Sequence, residues 1–383
     1  MTPKTIMMVA GDPSGDAIAA DLVRALAAAL TGARFIGAGG PLMAAAGVAN
    51  SFDLTAEAVI GVSDALKKLP RLSRYKKQLT RLAESQKPEL IILVDFSFFN
   101  QKLARAIRLQ SSSTWRPKIV KYVSPQVWAS RPGRAAGMAR DFDLLLCLFP
   151  FEKNWYARHA PNFRVEFVGH PMFDRHSAPA RKASQVPTVL LLPGSRRAEL
   201  KRHLPVIFGA ANLIAAKQPA QFKLVAPNEE LAAMVRPFQA SAKLPIEIQI
   251  GRLAEALAEA TIAIASTGTV TLECAYYGVP TVALYKTSLQ TYLIAKQVVT
   301  VKYLSMPNIL ADEPLFPEFV QHQATAANLA RAALDLLGSP SRRAEIQTKL
   351  ARVISTLGGP GAARRAAAAI LKLANSNEVE GGQ

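Results

Sequence analysis

The apolar run Leu90-Ile-Ile-Leu-Val94 ends in a carboxylate, Asp95, and Phe96-Ser97-Phe98-Phe99-Asn100 follows. An acid closing a buried strand is a candidate general base. Apolar surroundings raise its pKa, so that it can take a proton from an attacking hydroxyl. The same Asp also suits the cap of a following helix. A second stretch, Ser266-Thr267-Gly268-Thr269-Val-Thr-Leu-Glu273, has the chemistry of a phosphate and ribose site. It reads as a strand over 261–265, a hydroxyl- and glycine-rich turn, and a helix opening near Thr269. Gly268 allows close backbone approach to a ligand, and the free N–H groups of the first helical turn favour a phosphate. One turn on, Glu273 could accept two hydrogen bonds from a ribose diol. An ordinary strand-to-helix turn, with Thr269 as N-cap and Glu273 solvated, competes with this reading.

Two further turns echo each other, Val9-Ala10-Gly11-Asp12-Pro13-Ser14-Gly15-Asp16 and Leu192-Pro193-Gly194-Ser195-Arg196-Arg197-Ala198-Glu199. Neither has the glycine spacing of a dinucleotide fingerprint or the Lys-Ser/Thr of a Walker loop. Both place small residues at the carboxyl edge of a strand, where open α/β sheets bind ligands. Arg196 adds a guanidinium suited to a pyrophosphate. Taken singly, each also suits a plain connection. Three other loops carry polar or aromatic groups after strands or helices: Tyr122-Val-Ser124-Pro125-Gln126-Val127-Trp128-Ala129, Val168-Gly169-His170-Pro171 and Tyr303-Leu-Ser-Met306-Pro307-Asn308. His170 could meet a phosphate or reacting oxygen, or be structural. Asn308 could hydrogen-bond a sugar, or serve a turn.

The elements that must position these groups alternate between strand and helix, which predicts an α/β fold with parallel sheets. In the first half, strands are expected near 5–10, 34–37, 90–94, 119–123, 144–148 and 165–168. Helices are expected near 16–30, 76–85, 101–109 and 151–159. The second half restarts with strands near 188–192, 222–225, 246–249, 262–265 and 281–284, then a helical tail over 324–374. The proline-bounded connection 179–187 suggests a domain boundary. The expected division is 1–178, 179–360, a crossing helix 361–374 and a disordered tail 375–383.

A length of 383 residues suits two domains, and 50% hydrophobic content supplies their cores. The two cysteines, Cys147 and Cys274, lie in apolar or helical contexts, which fits a reducing compartment. The short run 6–10 predicts no signal peptide, and no apolar stretch approaches the roughly 20 residues of a membrane span. Lys and Arg total 46 against 28 Asp and Glu, giving +18 and an attraction for anionic partners. The charge is densest over 65–81, with Lys67, Lys68, Arg71, Arg74, Lys76, Lys77 and Arg81 and no acid. Leu66, Leu69, Leu72 and Leu79 interleave with them, although Pro70 should bend or break a helix there. Such a segment can lie on an anionic membrane, or form a solvated helix packed through its leucines.

Assembled, these motifs resemble the lipid-A-disaccharide synthase family over about residues 4–373. The matching residues are Ser14-Gly15-Asp16, Asp95 with Asn100, Tyr122-Val-Ser-Pro-Gln-Val-Trp128 and Phe149-Pro-Phe-Glu152. Gly169-His170-Pro171, Leu192-Pro-Gly-Ser-Arg196, Gly268-Thr269 with Glu273, and Leu304-Ser-Met-Pro-Asn308 complete the set. The resemblance implies the GT-B glycosyltransferase fold, two Rossmann-like domains facing a cleft, with the last helix crossing back to the first domain. It implies inverting transfer of 2,3-diacylglucosamine from UDP-2,3-diacylglucosamine to 2,3-diacylglucosamine 1-phosphate. The products would be a β-1,6-linked disaccharide 1-phosphate and UDP. Carried over by residue, Asp95 would be the catalytic base. Gly194, Ser195, Arg196, Thr267, Gly268, Thr269 and Glu273 would bind UDP. Ser14, Gly15, Asn100, Ser124, His170 and Asn308 would bind substrate. Leu66, Lys67, Lys68, Leu69, Arg71 and Leu72 would touch the membrane. No cofactor and no metal is expected, since the UDP-sugar is a substrate.

The expected setting is cytoplasmic, peripheral on the cytoplasmic face of the anionic inner membrane, with no nucleic acid partner; a homodimer is allowed. Three positions depart from the family pattern: Asp12 stands where Glu is usual, Phe98 where a second Asp is frequent, and Ser130 where Trp is frequent. Rival readings are a UDP-N-acetylglucosamine epimerase or another lipid-linked glycosyltransferase of the same fold, a UDP-sugar-binding module without catalysis, and a basic nucleic-acid-binding protein. The last needs interleaved aromatic and basic residues on one face, whereas the aromatics here are scattered.

Overall fold

The computed structural model describes residues 4–57, 65–175, 185–242 and 244–375, with backbone alone at 57 and 65–69. The chain forms two compact units, one of Met1–Arg175 with Leu357–Gln383 and the other of His176–Thr356.

Unit 1 holds a seven-stranded sheet. Its strands are β1 (Thr5–Ala10), β2 (Arg34–Gly39), β3 (Ala49–Asp53), β4 (Leu90–Val94), β5 (Lys118–Tyr122), β6 (Leu144–Cys147) and β7 (Val165–Phe167). They run parallel in the order β3-β2-β1-β4-β5-β6-β7. Strands buried on both faces carry apolar residues throughout. In β1, Ile6, Met8 and Ala10 enter one core, while Met7 and Val9 enter the other. The order reverses between β1 and β4, and a doubly wound sheet opens its ligand crevice at that switch point.

The first helix, Pro13–Ala29, starts there because Asp12 accepts from the Gly15 amide at 2.7 Å and Pro13 fills the first turn. Asp16, in the same turn, is buried and accepts from the amides of Gly40 (2.8 Å), Leu42 (3.0 Å) and Met43 (3.1 Å). It therefore caps the short helix Pro41–Ala45. The helix Ala65–Gln86 runs unbroken through Pro70, against the expected break. Pro70 is close enough to the N-terminus that a single intrahelical bond is lost.

Unit 2 repeats the plan with β8 (Thr188–Leu192), β9 (Gln221–Ala226), β10 (Ile246–Ile250), β11 (Ile262–Ser266), β12 (Thr281–Tyr285) and β13 (Glu318–Val320). Their order is β10-β9-β8-β11-β12-β13, all parallel, with the switch point between β8 and β11. The expected helical tail is three helices, Ala326–Gly338, Pro340–Ser355 and Ala362–Asn375. The last belongs to unit 1, where Ala366, Ala367, Ile370 and Leu373 join the core of the first helix. Asn375 closes that helix, and the rest of the expected tail, 376–383, lies outside the described residues. Most of the expected connection 179–187 lies outside them too.

Candidate active site

In unit 1 the loops after β1 and β4 interlock at the switch point. Asp95 and Phe96 both take left-handed backbone angles, φ 43° and 38°, which non-glycine residues rarely adopt. The Asp95 amide donates to Tyr122 O at 2.9 Å, so the turn begins on the last rung of the ladder. Asn100, wholly buried, donates Nδ2 to Val94 O at 3.0 Å and to Asp95 O at 2.9 Å. On the facing loop the lack of a side chain matters most at Gly11. A Cβ on Gly11 would lie 2.2 Å from the Phe96 ring, and one on Gly15 would sit 3.4 Å from Asp95 Cβ. Ser14 Oγ donates to Asp12 Oδ1 at 2.7 Å, beside the Gly15 amide bond to the same oxygen. The shorter Asp at position 12 thus serves as helix cap.

Burial pushes the Asp95 carboxyl above its ordinary range; the Lys121 cation opposes this, the Asp12 charge adds to it, and the Phe96 amide opposes it. Lys121 escaped the sequence reading. It lies in β5, 1% exposed, and its ammonium donates to Asp95 O and, at 3.4 Å, to Tyr122 O. The available signal was a lone lysine between apolar neighbours in a central strand.

The next two loops are stitched together. Trp128 Nε1 donates to Glu152 Oε1 at 3.0 Å, and the Phe149 amide donates to Oε2 at 3.1 Å. Ser124 is buried in the same place, its hydroxyl 3.4 Å from Tyr156 OH and also bonded to Glu152. The Ser124 hydroxyl is thus engaged within the fold. Asn100 Nδ2 likewise tethers the Asp95 turn, while its buried Oδ1 meets no hydrogen-bond partner. His170 is half-buried, accepts from the Met172 amide at Nδ1 (3.2 Å), and packs its ring 5.7 Å from that of Phe149. Gly169, φ 86°, admits Arg365, whose Nη2 would lie 2.4 Å from a Cβ there. Phe98 is exposed, with Lys102 Nζ 4.2 Å from its ring centre.

In unit 2, Gly194 has φ 117° and faces Glu199, which takes a hydrogen bond from the exposed Arg196 at 3.1 Å. Ser195 is exposed beside it. On the neighbouring strand, the helix Thr269–Tyr276 opens with Gly268, not Thr269, at its N-cap and with no side-chain cap bond. Gly268 (φ 144°) has open space where a Cβ would project; Gly268 and Thr269 are exposed, Thr267 and Glu273 half-buried. His203 supports the Gly194 loop from beneath. Nδ1–H donates to Pro193 O (2.7 Å) and Nε2 accepts from the Lys286 amide (3.0 Å), the bonds that define this tautomer.

Asn308 is not at this edge as a free amide. It is wholly buried, Nδ2 donating to Phe316 O and Glu318 Oε1 and Oδ1 accepting from Phe316 N, each at 2.8 Å. In this structure its amide thus ties the loop to β13 and the segment before it. Glu318, unremarked in the sequence reading, also accepts from the Leu304 and Ser305 amides, both at 2.9 Å.

The side chains of Leu66, Lys67, Lys68 and Leu69 lie outside the described residues. Arg71 is exposed, whereas Leu72 is half-buried against the core near Tyr75. No helix of the described residues is long and apolar enough to cross a membrane.

Two Rossmann-like parallel sheets, each with glycine-bearing loops at its switch point, define the class: the two-domain GT-B fold of nucleotide-sugar glycosyltransferases. Solved structures agree at the level of fold. The Acinetobacter baumannii MurG structure superposes with TM-score 0.57 at 16% identity, covering 97% of this chain and 100% of that one. The Neisseria meningitidis UDP-GlcNAc 2-epimerase bound to UDP-GlcNAc gives 0.62 at 14%, covering 96% and 99%. A family model described as lipid-A-disaccharide synthetase matches residues 6–373. Lipid-A-disaccharide synthases of Syntrophus aciditrophicus (34% identical, 99% of this chain and 100% of that one) and Alkalilimnicola ehrlichii (35%, 97% and 99%) align end to end. The chain belongs to the lipid-A-disaccharide synthase family and is a glycosyltransferase.

Proposed function

We propose that this chain transfers 2,3-diacylglucosamine from UDP to the 6-hydroxyl of 2,3-diacylglucosamine 1-phosphate, with inversion. The acceptor oxygen attacks C1 of the donor sugar, the bond from C1 to the UDP oxygen breaks, and the hydroxyl proton passes to Asp95. Arg196 and the amides at the start of the Thr269–Tyr276 helix oppose the charge developing on departing UDP, so no metal is called for. Glu273 holds the ribose; Ser14, Gly15 and His170 line the sugar side. The observation that carries this reading is the family match over 6–373, which spans all of these residues.

The cationic segment 65–81 and the net charge of +18 support peripheral attachment to the cytoplasmic face of an anionic inner membrane. Co-sedimentation with anionic vesicles tests that part; equal binding by a Lys67/Lys68/Arg71/Arg74-to-Ala variant would end it. The reaction is tested by a mass-spectrometric product assay with both lipid substrates, in EDTA. Wild type should yield a tetraacyl disaccharide monophosphate, and Asp95→Asn should lose roughly 10²–10⁴-fold in rate while still binding UDP. A folded, UDP-binding wild type that makes no disaccharide rejects the reaction. Equal rates in both proteins reject Asp95 as base.

A further inference from the structure

Lys121 is the one fully buried lysine among the described residues. Ile119, two residues earlier on the same face of β5, lies in an apolar core with Leu145 of the adjacent strand. A buried ammonium is costly unless compensated. Its two protein acceptors are the main-chain carbonyls of Asp95, the first residue beyond β4, and Tyr122, the last of β5. Asp95 O thus receives two donors, Lys121 Nζ and Asn100 Nδ2, at the point where the backbone turns left-handed. The carboxylates acting on Lys121 are those of Asp95 and Asp12, across the switch point. The other cation lining its small cavity is Arg134, which stands with Ser97 and Gln101.

We propose that Lys121 is a positioning residue for the transfer: its ammonium fixes the Asp95 carbonyl in the left-handed turn and supplies the positive field that keeps the Asp95 carboxylate ionised, ready to take the acceptor proton. This rests on Asp95 being the base. Burial pushes Asp95 up and Lys121 down, the latter to about 8, while each charge favours the other. When Lys121 loses its proton, Asp95 loses its counter-ion.

The test is the pH profile of kcat and KM for wild type and Lys121→Met, an apolar side chain of similar length. Wild type should lose kcat on the alkaline side with an apparent pKa of about 8. Lys121→Met should lack that limb, show kcat lowered about tenfold or more, and move its acid limb up by about one unit or more. The KM for the UDP-sugar should stay near wild type. A Lys121→Met profile with both limbs unmoved overturns the proposal, whether or not kcat falls, since loss of packing alone would lower kcat without shifting either limb.

A second arm needs no Lys121 variant and no turnover. With ¹³Cε-labelled lysine, wild type should show one lysine signal titrating near 8, and Asp95→Asn should move it to lower pH. The absence of that signal, or its indifference to Asp95→Asn, also overturns the proposal. Failure of the wild type to make disaccharide, with the lysine coupling intact, would instead reject the reaction.

Discussion

The indole N–H of Trp128 donates to the Glu152 carboxylate across 3.0 Å, joining the loop after β5 to the helix after β6. Burial pushes this carboxyl up to about 7, against the bonds from Phe149, Ser124 and Trp128. Its folded pKa lies above the unfolded value near 4.5, so its contribution to stability is fully present below 4.5 and lost as pH rises through 7. Glu152→Gln mimics the protonated form. Its stability relative to wild type should rise across that window, by up to about 1.4 kcal/mol per pH unit. Urea midpoints at pH 4.5, 6 and 7.5 measure this, and a difference independent of pH contradicts it. Glu152→Ala, which strands two buried donors, should cost about 2 kcal/mol or more at any of these values.

His203 has the opposite sign. Burial pushes its pKa below the ordinary 6.5, helped by the Lys286 charge and opposed by the Pro193 bond and the Glu199 charge, and only the neutral ring can both donate to Pro193 and accept from Lys286. Its stabilisation is fully present above 6.5 and declines as pH falls below that value. UDP affinity should fall together with stability between pH 7 and 5.5, because the Gly194–Arg196 loop rests on this ring. His203→Ala should weaken UDP binding at neutral pH and flatten the pH dependence, as isothermal titration would show. A wild-type affinity flat over this range would detach the ring from the UDP site.

Gly268 separates backbone strain from ligand space. Its φ of 144° penalises any side chain, yet nothing stands within 4 Å of the added Cβ. Gly268→Ala should therefore fold, at a cost of about 1–2 kcal/mol in stability. A phosphate against the helix start would meet the new methyl group directly, so the Kd for UDP should rise about tenfold or more. Equal UDP binding would place the diphosphate elsewhere.

The central strands were legible because a parallel sheet buried on both faces writes its strands as continuous apolar runs, as in Leu90–Val94. Two of the four edge strands, β3 and β13, were not. Ala49–Asp53 alternates polar residues along an exposed rim, and Glu318–Val320 has only three residues. At the site, the positions of Asp95, Gly194 and Gly268 could be read because each follows a strand end that the apolar pattern locates. The roles of Asn100, Ser124 and Asn308 could not be read that way. A loop amide or hydroxyl that tethers backbone has the same composition as one that meets a sugar, and only burial and partners tell them apart. Lys121 was obscured for the opposite reason: its neighbour Asp95 lies just beyond β4, far away in sequence.

Asn308 puts this distinction to experiment. All three of its hydrogen bonds are internal, two to the Phe316 backbone and one to Glu318, and Glu318 in turn holds the Leu304 and Ser305 amides. Asn308→Ala leaves the Phe316 amide and carbonyl buried without a partner, at about 1–3 kcal/mol for each stranded group. Substitution should therefore lower the unfolding temperature by several degrees and cost activity through the misplaced loop. A tether and a ligand contact differ in what remains when the protein is cold and fully folded. If Asn308 is a tether, activity at low temperature should recover substantially, and the KM for the UDP-sugar should approach wild type. An Asn308→Ala protein with unchanged stability and a persistently raised KM would return this side chain to the sugar.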